Sequence, residues 1–169
     1  MQKAIKYTIF KTKWGYFGLA GTEYGLLRTC LPYSKREKVE SELLKNQGDA
    51  EYEKDLFKVI QQQITAYFEG SYADFNKDIP IVLEGLSVFA EQVLSACRDI
   101  QFGQTISYSG LAKKSGRGGA ARAIGNALAK NPLPLIIPCH RVICANGKIG
   151  GSSTMGGVTL KRKMLELEQ

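Results

Sequence analysis

Acidic residues are missing from a long part of this chain: between residues 100 and 163 there is no Asp and no Glu. The same stretch holds Lys113, Lys114, Arg117, Arg122, Lys130, Arg141, Lys148, Lys161, Arg162 and Lys163, whereas before residue 80 acids and bases nearly cancel. The net charge of +7 is therefore concentrated in one half. A positive half beside a neutral one is the electrostatic footprint of a face that binds a polyanion. A solvated basic surface without a partner is the plainer alternative, and a run this long without one acid weakens it. Histidine is nearly absent as well, with His140 the only one in 169 residues. Missing too are a CxxC pair and any apolar run approaching the ~20 residues of a membrane span. No zinc site, no cofactor and no membrane contact are expected. The start, Met1-Gln2-Lys3-Ala4-Ile5-Lys6, is basic but leads into no apolar core, so no signal peptide is expected. Four cysteines, Cys30, Cys97, Cys139 and Cys144, are unevenly spaced, and a reduced intracellular setting is the simpler reading.

What is present, 44% hydrophobic and 23% charged residues, is ordinary for a globular protein of one medium or two small domains. Residues 4–30 read as strands and turns. Tyr7-Thr8-Ile9-Phe10 is β-prone, and Gly21-Thr22 and Tyr24-Gly25 punctuate the segment. Residues 35–45 and 53–68 are charged and periodic, with Leu56, Val59, Ile60, Ile64 and Phe68 on one helical stripe. The turn-rich stretch 70–80 marks a boundary, which gives an N-terminal domain over 1–79 and a C-terminal domain over 80–169. Near 87–98, Val88, Phe89, Val93, Leu94 and Cys97 recur at helical spacing, so Cys97 reads as a core residue.

The basic half is built differently. Thr105-Ile106-Ser107-Tyr108 precedes a short helix over 109–114, with hydroxyl side chains available as N-cap. A glycine-rich turn over 115–119 leads to a helix over 120–130, a strong helix former with alanine predominant beside arginine and leucine. Asn131-Pro132 ends it, because the residue before a proline is pushed out of helical geometry. Helix, glycine turn and helix make a helix-turn-helix pattern. The second helix starts with the small Ala120 and Ala121 before Arg122. Such a pair occurs in many folds; joined to the acid-free charge, it points to DNA.

The sole histidine directly follows a cysteine, in Ile136-Ile137-Pro138-Cys139-His140-Arg141-Val142-Ile143. An imidazole beside a thiol can draw off its proton, and the thiolate is the nucleophile. The proline before it suits a rigid turn that presents a side chain. A buried inert cysteine beside a core histidine is the plainer reading of the pair taken alone.

With these motifs in register the chain resembles the O6-alkylguanine-DNA alkyltransferases, or methylated-DNA–protein-cysteine methyltransferases. The resemblance is carried by Ile106-Ser107-Tyr108, by Ala120-Ala121-Arg122-Ala123-Ile124-Gly125, by Asn131-Pro132-Leu133-Pro134 and by Ile137-Pro138-Cys139-His140-Arg141-Val142-Ile143. It is close over residues 102–149, runs more weakly to the C-terminus, and leaves the N-terminal half unmatched.

The resemblance implies an α+β fold, an N-terminal α/β domain with a small antiparallel sheet followed by a mainly helical domain containing the helix-turn-helix. It implies a monomeric intracellular protein, cytoplasmic, or nuclear in a eukaryote. Its partner is double-stranded DNA carrying O6-alkylguanine, chiefly O6-methylguanine, with O4-alkylthymine a further substrate. The lesion base is flipped into a pocket and its alkyl group moves irreversibly to Cys139, which calls for a thiol whose pKa lies below the usual ~8.5.

By the same resemblance His140 acts through a water and is oriented by Glu168, with Glu166 as the alternative register. Asn131 bridges the helix-turn-helix to the active-site loop. Tyr108 and the Val142 carbonyl bind guanine, and Lys161 belongs to the substrate site. Arg122 replaces the extruded base, Ala120 and Ala121 pack on the minor groove floor, and Arg117 meets DNA. The loop before Gly156-Gly157 is about two residues longer than the family pattern and lacks its aromatic residue, so Met155 is expected to wall the alkyl pocket. Cys144 reads as structural.

Three rival readings remain at this level. A non-catalytic relative that recognises alkylated bases would replace the acceptor cysteine. A DNA-binding regulator would leave Pro138-Cys139-His140-Arg141 as coincidence. A thiol hydrolase would leave the acid-free face unexplained.

Overall fold

The computed structural model describes residues 4–75 and 78–169. Asn76 and Lys77, within the expected boundary stretch, and the first three residues of the basic start lie outside them. The chain divides into two compact units, Met1–Glu84 and Gly85–Gln169.

In the first unit, strands β1 (Ile5–Thr12), β2 (Gly15–Thr22) and β3 (Gly25–Tyr33) form an antiparallel meander, with Phe10 opposite Phe17 and Leu19 opposite Thr29. Helix α1 (Arg36–Leu43) lies across β2 and β3, burying Val39 and Leu43. A side chain at Gly18 would meet both residues at 2.9 Å, so glycine is what lets the helix approach the sheet. The sequence reading has no counterpart for β4 (Ala50–Tyr52), a three-residue strand that pairs parallel to β1 and makes the sheet order β3-β2-β1-β4. Its composition is polar and its length too short for a periodic signal.

Helix α2 (Lys58–Phe68) starts later than its periodicity suggests, because Phe57 adopts a left-handed conformation at φ 52°. The expected stripe is rotated accordingly: Val59 is 66% exposed, while Ile64, Tyr67 and Phe68 are buried. Aromatic packing decides this face. Phe68 meets Trp14 at 5.2 Å and stands edge-on to Tyr67 at 4.9 Å between ring centroids. Pro80 and Val82 stay with this unit, hydrogen-bonding Leu26 at 2.9 and 2.8 Å.

In the second unit, α3 (Val88–Arg98) is capped by Ser87, whose hydroxyl accepts from the Ala90 amide at 3.1 Å. Val93, Leu94 and Cys97 are buried as their spacing suggests, but Val88 at the first turn is 71% exposed. Strand β5 (Ile106–Ser107) leads directly into α4 (Tyr108–Lys114), which Ser107 caps through the Gly110 amide at 2.9 Å. Gly116 and Gly119, both at positive φ, form the turn to α5 (Ala121–Leu128), which buries Ile124, Ala127 and Leu128 against α3 and α4. A 3-10 turn at Cys139–Arg141 then enters β6 (Val142–Ile143), which pairs parallel to β5. Helix α6 (Gly157–Leu167) closes the chain. None of the described helices is long and apolar enough to cross a membrane.

The strain built into the first unit is testable at Gly25, which has φ +142° and would place a Cβ 2.5 Å from the Pro80 carbonyl oxygen. Gly25→Ala should cost about 2–3 kcal/mol in urea unfolding. Gly48→Ala, left-handed but in open space, should cost only about 1 kcal/mol. Equal losses would show that backbone angle, not the Pro80 contact, is what matters.

Candidate active site

Cys139 is delivered by a rigid approach. Residues 133–138 are all buried, and the non-glycine Leu135 sits at φ 77°. The Asn131 side chain holds this segment at both ends, accepting from the Leu133 amide at 2.9 Å and donating to the Ile137 carbonyl at 3.0 Å. The same side chain acts on the Cys139 thiol and lowers its pKa. A residue that ends α5's segment thus also fixes the thiol.

The turn places the next two residues inward. His140 and Arg141 are each 5% exposed, and both meet Glu168, the C-cap residue of α6. His140 Nε2 lies 2.7 Å from Glu168 Oε1. Arg141 grips the same carboxylate with two donors, Nε to Oε2 and Nη2 to Oε1, both at 2.9 Å, and sends Nη1 to the Ile100 carbonyl at 2.6 Å. Glu168 is therefore a buried, doubly clamped carboxylate despite standing next to the chain end, and Glu166 is exposed.

The charges follow from this arrangement. Burial alone would raise the Glu168 carboxyl, but hydrogen bonds from His140 and Arg141, with the Arg141 charge, bring it down to about 2. An ionised carboxylate only accepts, so His140 must donate from Nε2, which leaves Nδ1 as its free basic nitrogen. Burial pushes the His140 pKa down against the pull of Glu168, with Arg141 and Lys161 adding to the decrease, so the ring is neutral near pH 7.

Cys139 departs from the expectation of a low pKa. Burial raises its thiol, and the Asn131 hydrogen bond and the Lys161 charge offset this only in part. At rest the pair is thiol and neutral imidazole, so a proton must be moved before the sulfur can attack.

Lys161 closes the other side. Its buried Nζ donates to the Val142 carbonyl at 2.8 Å and to the Gly151 carbonyl at 3.3 Å, and sits 5.7 Å from the centre of the Tyr108 ring. One lone pair of the Val142 oxygen is thus already taken by Lys161. Tyr108, first residue of α4, is half-buried beside Gly150, where a Cβ would come within 3.3 Å of its hydroxyl. Met155 is half-buried in the loop before α6.

Arg122, Ala120 and Ala121 stand at the start of α5, with Arg122 exposed. Arg117 is exposed too, its guanidinium 5.6 Å from the centre of the Phe89 ring. Among the described residues no group of His, Cys, Asp and Glu could hold a metal. The residue that sequence reasoning passed over is Arg141. A cation inside an apolar run must find a buried partner, and that was the available signal.

Known proteins extend the picture. The family model described as 6-O-methylguanine DNA methyltransferase, DNA binding domain, matches residues 88–169, and the one described as its ribonuclease-like domain matches residues 5–83. The chain is 35% identical over 163 residues to the methylated-DNA–protein-cysteine methyltransferase of Methanosarcina acetivorans, covering 96% of this chain and 97% of that protein. It is 44% identical over 113 residues to the protein of that name from Mycobacterium bovis, covering 67% of this chain and 66% of that one. The crystal structure of Mycobacterium tuberculosis OGT in complex with DNA superposes with a TM-score of 0.81 at 32% identity, covering 96% of this chain and 92% of that one. An O6-methylguanine-DNA methyltransferase from Pyrococcus kodakaraensis shares the fold, with a TM-score of 0.69 at 23% identity.

The carboxylate clamp makes stability pH-dependent with a definite sign. The Glu168 carboxyl falls from 4.5 to about 2 on folding, so its contribution is complete above pH 4.5 and lost as pH drops toward 2. Urea midpoints of the wild type should decline through that window. Glu168→Gln should be less stable at pH 7 and flatter below pH 4.5; parallel curves would show that the clamp stores no ionisation energy.

Proposed function

Since this chain belongs to the methylated-DNA–protein-cysteine methyltransferase family, we propose that it repairs O6-alkylguanine in double-stranded DNA by moving the alkyl group onto its own Cys139. The observation that carries the reading is the chain of contacts Glu168–His140 beside Cys139, which supplies a neutral base with one free nitrogen next to a protonated thiol. The second unit carries both DNA binding and alkyl transfer, and the first serves as its structural companion.

The reaction needs the lesion outside the base stack, because a thiol cannot reach an alkyl carbon within the duplex. Ala120 and Ala121 let α5 approach the minor groove floor closely. Exposed Arg122 enters the stack in place of the extruded base, while Arg117 and the other cations meet phosphates without reading sequence. The flipped guanine donates its amino group to the Val142 carbonyl and accepts from Tyr108. Lys161 holds that carbonyl in place, and Met155 walls the alkyl group with a flexible apolar side chain.

The proton of Cys139 passes through one water to Nδ1 of His140, and Glu168 stabilises the imidazolium that forms. The thiolate attacks the alkyl carbon. An S–C bond forms, the C–O6 bond breaks, and guanine leaves with the electron pair and recovers a proton at its ring nitrogen. No proton is gained or lost overall. The product is a thioether with no acyl carbon for water to attack, so each molecule reacts once.

Incubation with an O6-methylguanine duplex should add one methyl mass to Cys139, with lesion loss capped at one per protein and none for Cys139→Ala. Unmodified wild-type protein that still binds the lesion would identify a non-catalytic binder instead. Arg122→Ala should slow repair of the duplex tenfold or more through lost stacking, on the order of 1–3 kcal/mol, yet leave reaction with free alkylguanine base within twofold. Equal losses on both substrates would remove Arg122 from base extrusion.

A further inference from the structure

All three nitrogens of one buried guanidinium are directed at a structural task. Arg141 spends Nε and Nη2 on Glu168 and Nη1 on the Ile100 carbonyl, just beyond α3, and its carbon centre lies 5.9 Å from the Phe102 ring centre. The carboxylate it holds is the one that accepts from His140, and both Arg141 and Glu168 side chains are almost without solvent contact, at 6% and 2% exposure. Glu168 comes after the last turn of α6. A chain end frays unless something ties it down.

Without Arg141 the Glu168 side chain would lose two of the hydrogen bonds that hold its carboxylate, one to each oxygen, and a carboxylate held by fewer points is freer to rotate. With Arg141 the carboxylate plane is set by two parallel N–H···O bonds. Oε1 is then presented to the imidazole in one orientation.

Building on the alkyl-transfer reading above, we propose that Arg141 is a positioning residue for that reaction. By clamping Glu168 it fixes His140 as the Nε2–H tautomer with Nδ1 free, and by sharing the carboxylate's charge it keeps the imidazole from being protonated too early. The second part follows from charge balance. The charged groups acting on His140 are Glu168 and Lys161 from α6 and Arg141 from its own turn. Glu168 alone favours the imidazolium; a permanent guanidinium on the same carboxylate cancels part of that field. Hence removing Arg141 should make His140 a stronger base that is more often already protonated, and an already protonated ring cannot accept the thiol proton.

His140 is the only histidine, so its imidazole can be followed without assignment ambiguity in the untagged, ¹⁵N-labelled full chain. Long-range proton–nitrogen spectra report tautomer and titration midpoint together, and single-turnover repair of an O6-methylguanine duplex is measured over the same pH range. For Arg141→Met the imidazole midpoint should rise by roughly one pH unit, and the acid limb of the repair rate should move up with it. Arg141→Lys keeps the charge but loses the fork: its midpoint should stay near wild type, the Nε2–H tautomer should be less populated, and the rate at pH 7 should fall roughly tenfold.

A wild-type midpoint in Arg141→Met, or wild-type tautomer and rate in Arg141→Lys, overturns the proposal. If Arg141→Met does not fold, Arg141→Lys decides alone. The imidazole spectra do not depend on methyl transfer. A wild-type protein that moves no methyl group would sink the repair reading, whereas unshifted spectra in a repairing protein would sink only the role of Arg141.

Discussion

One carboxylate organises the reactive half of this protein. Glu168, at the end of α6, is bound by His140 and Arg141 from the active-site turn, and Arg141 in turn reaches the carbonyl of Ile100 beyond α3. Three segments distant in sequence are joined at a single buried ion. Such a site is costly to bury unless every lone pair is used, and here the two oxygens together accept three hydrogen bonds. The same feature that secures the chain end also sets the state of the base.

The electrostatics describe a nucleophile held in reserve. A cysteine at a helix N-terminus or beside a protonated histidine would carry a standing thiolate. Cys139 instead lies in a low-dielectric niche where burial favours the thiol, and its neighbour His140 is neutral. Asn131 and Lys161 lessen the cost of forming the anion without making it the resting state. For a group consumed by its own reaction, as proposed for Cys139, this arrangement is apt, because a standing thiolate would meet any electrophile in solution. A proton transfer at the moment of attack confines the reactive form to the occupied site.

Much of this was legible along the chain. The strands of β1 to β3, a hydroxyl N-cap before α4, the glycine turn between α4 and α5 and the core position of Cys97 all follow from local pattern, because each depends on neighbours a few residues away. Elements set by distant partners were not legible. The buried face of α2 is chosen by Trp14 and Tyr67 packing on Phe68, not by the stripe through Val59. Strand β4 exists because β1 offers an edge. The expected low pKa of Cys139 failed for the same reason: residue types name the neighbours, but burial, the largest influence, is absent from sequence.

The amino-acid sequence by itself determined the acid-free basic half, the placing of the sole histidine after Cys139 and the motif register that marks the family and, through that resemblance, implies the fold class. These are properties of composition and spacing, and short-range physics reads them directly. Tertiary structure alone decided that Glu168, rather than the exposed Glu166, is buried and ionised, that Arg141 shares it with His140, and that one lone pair of the Val142 carbonyl belongs to Lys161. Each of these is a long-range contact whose energy depends on the solvent it excludes, and no window of neighbouring residues contains that information.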